Sequence, residues 1–221
     1  MATQPALAAS SPAAHGLPVE LRGTQFQRRQ RIVDAALELL RESNGENIHV
    51  RDVADRAGVA LGTVYRYMGS KDRLFAEAYQ KWAEARFVDL ARSAKKGRTN
   101  TQRLRRIAFG FLETFATEPH FLNLVRLELA GSTEPAVRSV LDEVAAGFRT
   151  LCGDALDGID RTDVAAIAGI VIAVVFAALD QLTIRGASLD QAKRGVAIAV
   201  RTILEFQDPT SRAASGGTRR R

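Results

Sequence analysis

The chain has 221 residues, enough for a small domain plus a larger one, and its 46% hydrophobic and 25% charged residues are ordinary for a globular protein. Its formal charge of +6 suits an anionic partner. The single cysteine, Cys152, excludes an internal disulfide framework and fits a reducing, cytoplasmic setting.

Residues 1–23 are rich in alanine, serine and proline without apolar periodicity, and they lack the basic start and apolar core of a signal peptide. They read as a disordered arm. From Gln25 to Ser43, Ile32, Ala35, Ala36, Leu39 and Leu40 recur on one face, which predicts an amphipathic helix ended by Asn44–Gly45. Arg22, Arg28, Arg29 and Arg31 crowd its start, either as a solvated charge run or as an arm for phosphate or the minor groove.

Two short helices follow, at about Val50–Ala57 and Leu61–Met68. Val53, Ala54 and Ala57 make an apolar face on the first, Gly58 stops it, and Val59 plugs the corner. The second carries Thr63, Tyr65, Arg66 and Tyr67, polar and aromatic groups of the kind a helix-turn-helix presents to a DNA groove. Ser70 is a candidate cap for a long helix from Lys71 to about Ser93, with Leu74, Ala78 and Trp82 on its inner face. Further helices are predicted at Thr101–Thr117, Pro119–Ala130, Glu134–Leu156, Arg161–Arg185 and Ser188–Gln207, stopped by Asp208–Pro209. The expected fold is all-α. Its parts are an arm (1–23), a three-helix helix-turn-helix domain (24–70), a larger helical ligand-binding and dimerisation domain (71–207) and a flexible basic tail (208–221). The apolar run Val164–Leu179, bounded by Asp163 and Asp180, is shorter than a membrane span and reads as a buried helix.

From Ile32 through Ala35, Ala36, Leu39 and Gly45 to VRDVADRAGVALGTVYRYMGSK and Leu74, the chain resembles the TetR family of bacterial transcriptional regulators. The resemblance covers roughly the first third of the folded chain. It implies a homodimer that binds double-stranded DNA through His49, Arg51, Leu61, Gly62, Thr63, Tyr65, Arg66, Tyr67 and Lys71. It further implies a repressor released from a palindromic operator by a small molecule. A ligand-independent regulator or activator without an enclosed pocket is the alternative. Three positions depart from the family's usual choices: Ala60 in place of a capping serine, Met68 in place of phenylalanine, and Ile48–His49 in place of a hydroxyl pair.

Two patterns in the second domain admit more than one reading. Ala165, Gly169, Ala173 and Ala177, with Gly195 and Ala199 on the last helix, form rows of small residues spaced by four. Such rows let helices approach closely, either within the chain or across a two-fold interface, and the resemblance implies the interface. Phe109, Phe111, Phe115, Phe121, Phe148 and Phe176 are either core or the walls of an apolar pocket for a hydrophobic effector. Arg126, Glu128, Asp180, Gln181 and Arg185 are candidate polar anchors, Arg126 and Gln181 foremost. His15, His49 and His120 have no metal-ligand spacing, and no nucleophile–base pair or phosphate loop is visible. No catalytic residue, metal or cofactor is therefore expected.

Overall fold

In the computed structural model, residues 19–43 and 48–207 are described. The first helix, α1 (Val19–Glu42), buries Ile32, Val33, Ala35, Ala36, Leu37 and Leu40. It begins before the expected Gln25, so the helix runs across the expected boundary between arm and domain. Arg28, Arg29 and Arg31 lie within this helix, where the start expected at Gln25 also places them. The Asn44–Gly45 stop and the basic tail lie outside the described residues.

Next come α2 (Val50–Ala57) and α3 (Leu61–Met68). The His49 backbone N–H donates to the Asp52 carboxylate at 2.9 Å and so satisfies one donor at the start of α2. At the other end Gly58 takes φ 65° and ψ 40°, and the Val59 N–H reaches back to the Ala54 carbonyl at 3.0 Å. This is a Schellman stop, and it sets the angle at which α3 leaves. An alanine at 58 would meet no neighbour but would have to hold the left-handed conformation. Gly58→Ala is expected to cost about 1–2 kcal/mol in urea denaturation, with Gly58→Asn milder. Helix α3 has no side-chain cap at Ala60, and it anchors itself through Val64 and Met68, which are almost wholly buried.

Ser70 caps α4 (Lys71–Ala94), accepting from the Arg73 N–H at 3.0 Å. The N-terminal half of α4 is buried nearly all round, because α1 packs on one side and α7 (Pro135–Ala155) on the other. The remaining helices, α5 (Asn100–Thr117), α8 (Arg161–Arg185) and α9 (Leu189–Gln207), complete a bundle around α4 and α7. Among the described residues there is no strand.

One segment differs from the single helix expected over Pro119–Ala130. The chain makes a short α6 (Pro119–Asn123) and then a π-helical stretch, Leu124–Leu129, closed by the Ala130 N–H on the Val125 carbonyl at 2.8 Å. The i→i+5 winding brings residues five apart towards one face, which lets Leu124 and Leu129 both enter the core.

Helix α8 is also less enclosed than expected. It has 25 residues, an 18-residue window of mean hydropathy 2.4, and only 39% of that window buried. By length and composition alone it would suffice to cross a membrane. Here its inner side packs on α5, α7 and α9, while Ile170, Ala173 and Ala177 face outward.

Candidate DNA-binding surface and effector pocket

The residues expected on a DNA-binding face lie at the start of α2, along α3 and at the start of α4. His49, Arg51, Leu61, Gly62, Tyr65, Arg66 and Lys71 are exposed, and Thr63 and Tyr67 are half-buried beside them. The cations on this face are uncommitted: Arg51, Arg66 and Lys71 pair with no carboxylate among the described residues. Arg66 lies 5.5 Å over the Tyr67 ring and Lys71 5.3 Å over Phe75, contacts that orient both without neutralising them. Arg56, by contrast, is turned towards α1. It donates twice to Glu42, at 2.9 and 2.7 Å, and these bonds raise the pKa of its guanidinium and lower that of the carboxylate. Arg29 is likewise drawn to Glu77, away from an arm role. Unpaired cations therefore stand on α2, on α3 and at the start of α4.

A cavity of about 280 Å³ lies between α4, α5, α7 and α8. Phe111, Phe148 and Phe176 line it, together with Tyr79 and Phe87 of α4, Val125 of the π segment, and Arg149 as the one charged group. Phe111 and Phe148 meet at 5.2 Å between ring centroids. Gly147 makes this wall possible, since a Cβ there would stand 3.0 Å from the Phe87 ring.

The other expected pocket residues do not line this cavity. Phe115 and Phe121 pack against Trp82, at 5.3 and 4.3 Å, in the closed core. Phe109 sits between Arg105 and Lys193. Arg126 pairs with Asp180 and covers the Phe176 ring at 5.2 Å, and Gln181 is exposed. The pairing with Arg126 lowers the Asp180 pKa.

A larger cleft, about 530 Å³ between α1, α4 and α7, is walled by charges that answer one another, Arg29 and Arg73 both meeting Glu77. His120 is buried with neither ring nitrogen partnered, and desolvation holds its pKa below the usual histidine value. Cys152 is buried, and burial pushes its thiol up to about 12, so it packs as an apolar group. No group of three metal-ligating side chains occurs among the described residues.

A helix-turn-helix joined to a larger helical domain defines a class of DNA-binding regulators. The family described as bacterial regulatory proteins, tetR family, matches residues 32–78. The transcriptional repressor KstR of Mycobacterium tuberculosis is 41% identical over 80 residues, which cover 36% of this chain and 36% of that protein. The match thus spans about a third of the relative's length. A TetR transcriptional regulator from Rhodococcus sp. RHA1 superimposes with a TM-score of 0.69 at 22% identity, covering 82% of this chain and 97% of that one. The regulator FadR from Bacillus subtilis, solved in complex with stearoyl-CoA, gives 0.57 at 18% identity, covering 77% and 96%. The chain belongs to the TetR family, whose members are DNA-binding regulators rather than enzymes.

Proposed function

We propose that the protein is a cytoplasmic homodimeric repressor, released from a palindromic operator when a hydrophobic small molecule enters the cavity between α4, α5, α7 and α8. One observation carries the coupling. Helix α4 holds Lys71 beside the recognition helix and, about 12 Å further along at 1.5 Å per residue, the cavity wall at Tyr79. A body that pushes on Tyr79 or Phe87 therefore acts on the rod that positions α3.

Two hydrogen bonds support the same link. Ser70 donates to Glu134 at 2.5 Å and Ser132 to Asp72 at 3.3 Å, tying the start of α4 to the segment entering α7. Helix α7 supplies Leu141, Val144 and Phe148 to the cavity. Ligand binding then favours a dimer whose two recognition helices no longer match their half-sites. An apolar cavity without paired charges favours an apolar body over a sugar or metal ion, because burying an unpaired charge is costly. The bound stearoyl-CoA in the Bacillus subtilis protein supports this class of effector. A ligand-independent regulator would have no use for the cavity.

Fluorescence anisotropy on DNA upstream of the protein's own reading frame tests the DNA half. Lys71→Ala is expected to weaken all sequences alike and to flatten the salt dependence by about one unit of slope. Arg66→Ala is expected to lose about 1–3 kcal/mol of discrimination at one base position. Unchanged slope and unchanged discrimination together would remove both residues from the interface. Release of bound DNA by apolar compounds, with none by sugars or metal ions, checks the ligand half.

A further inference from the structure

The mouth of the apolar cavity differs in chemistry from its walls. Arg149 and Ala165 line both the cavity and a neighbouring cleft of about 490 Å³, into which Arg161 and Asp154 also reach. An apolar hole and a cleft with charged residues in its lining thus share one edge. Arg149 and Arg161 are exposed and pair with no carboxylate among the described residues. Of the nearby acids, Asp157 takes Arg103 at 2.6 Å, Asp160 accepts the Thr162 N–H at 2.8 Å as the cap of α8, and Asp163 stands in the first turn of that helix. Asp154 is the one acid among the residues lining the cleft, against Arg149 and Arg161.

Resting on the reading of this cavity as the effector pocket, we propose that Arg149 and Arg161 form an anion site at its mouth. The effector is then a compact amphipathic anion, with an apolar body inside and a carboxylate or phosphate head on the two guanidiniums. The orientation follows from desolvation. A charged head would be costly among Phe111, Phe148 and Phe176, whereas at the mouth it stays hydrated and meets the forked donors that suit either oxyanion. Size follows from volume. About 280 Å³ is roughly twice the ~150 Å³ cavity that accepts benzene, so it holds two fused rings or a medium alkyl chain. A full stearoyl chain would require the walls to part.

The test is calorimetric titration of the full chain with decanol, decanoate and decyl phosphate, which share one alkyl body. Both anions are expected to bind about tenfold more tightly than decanol, with the advantage shrinking in high salt. The stronger of the two anions identifies the head as carboxylate or phosphate. In the Arg149→Gln/Arg161→Gln double variant the anion-to-alcohol ratio is expected to fall to about one, and Arg149→Lys in place of Arg149→Gln to restore part of it. A matched thermal melt keeps folding out of the comparison, and the single variant Arg161→Gln gives an intermediate ratio. Equal binding of alcohol and anions by the unsubstituted protein, or a ratio unmoved in the double variant, overturns the anion site and leaves the cavity reading intact. Failure of decanol and both anions to bind overturns the two together.

Discussion

Replacing Trp82 by alanine is expected to lower stability by about 3–5 kcal/mol. Trp82 is 1% exposed at the middle of α4 and stacks on Phe121 with 4.3 Å between centroids and 19° between planes. Tyr79 and Phe115 flank it at 5.6 and 5.3 Å. Three helices therefore lose contacts at once, and rigid rings cannot collapse into the space. A second cost is polar. The indole N–H donates to Glu118 at 3.0 Å, and Glu118 also holds Arg86 at 3.0 Å and Arg41 of α1 at 3.6 Å. Trp82→Ala removes a donor from a junction that joins α1, α4 and the start of α6. Trp82→Phe keeps part of the stacking but forgoes the donor and the bulk of the second ring, so about 1–3 kcal/mol is expected. Urea denaturation followed by circular dichroism measures both. For a chain of this length the alanine variant should melt roughly 6–20 °C lower. A loss under 1 kcal/mol would mean that this aromatic cluster does not hold α4, α5 and α6 together.

The ease of reading this chain from its sequence varied with how local the governing interaction is. Helix ends set by a cap or a left-handed glycine were legible: Gly58 stops α2 and Ser70 starts α4 where their chemistry demands. The start of α1 was not, because Gly23, Thr24, Gln25 and Phe26 are exposed and their helical turn leaves no apolar period to detect. The π segment was hidden for a related reason. Its five-residue spacing between Leu124 and Leu129 has meaning only once the core they share is known. In the pocket, Phe111 and Phe115 read alike as apolar residues at helical spacing. Whether the space opposite a ring is filled, as by Trp82, or open depends on packing between distant helices. Tyr79 and Phe87 escaped notice because α4 is apolar on two sides, and a single stripe through Leu74, Ala78 and Trp82 undercounts it.

Ala173→Arg is expected to turn the protein into a folded monomer with about 10²–10⁴-fold weaker binding to a two-half-site operator. The rows of small residues at Gly169, Ala173 and Ala177 and at Gly195 and Ala199 were open to two readings, packing within the chain or between two copies. Within one protomer nothing crowds them: Gly169, Ala173, Ala177 and Gly195 are exposed, and a Cβ on either glycine would meet no atom within 4 Å. Around them Ile170, Ile184 and Ile198 are 47%, 76% and 58% exposed. A contiguous apolar face of this kind is costly to leave in water and is what a two-fold interface covers. An arginine at 173 has room in the protomer, so its folding free energy should change by no more than about 0.5 kcal/mol. In the proposed dimer each substitution occurs twice, and an unpaired charge buried at a helix–helix contact costs several kcal/mol. Operator binding then loses the effective concentration that links two half-sites, which is worth about 10²–10⁴ in affinity. Ala173→Phe and Ala199→Phe act in the same direction through bulk. Sedimentation velocity with a parallel thermal melt reads both parts of the expectation. A variant with unchanged melting that still sediments as a dimer and holds the operator as tightly would place the pairing surface on other helices.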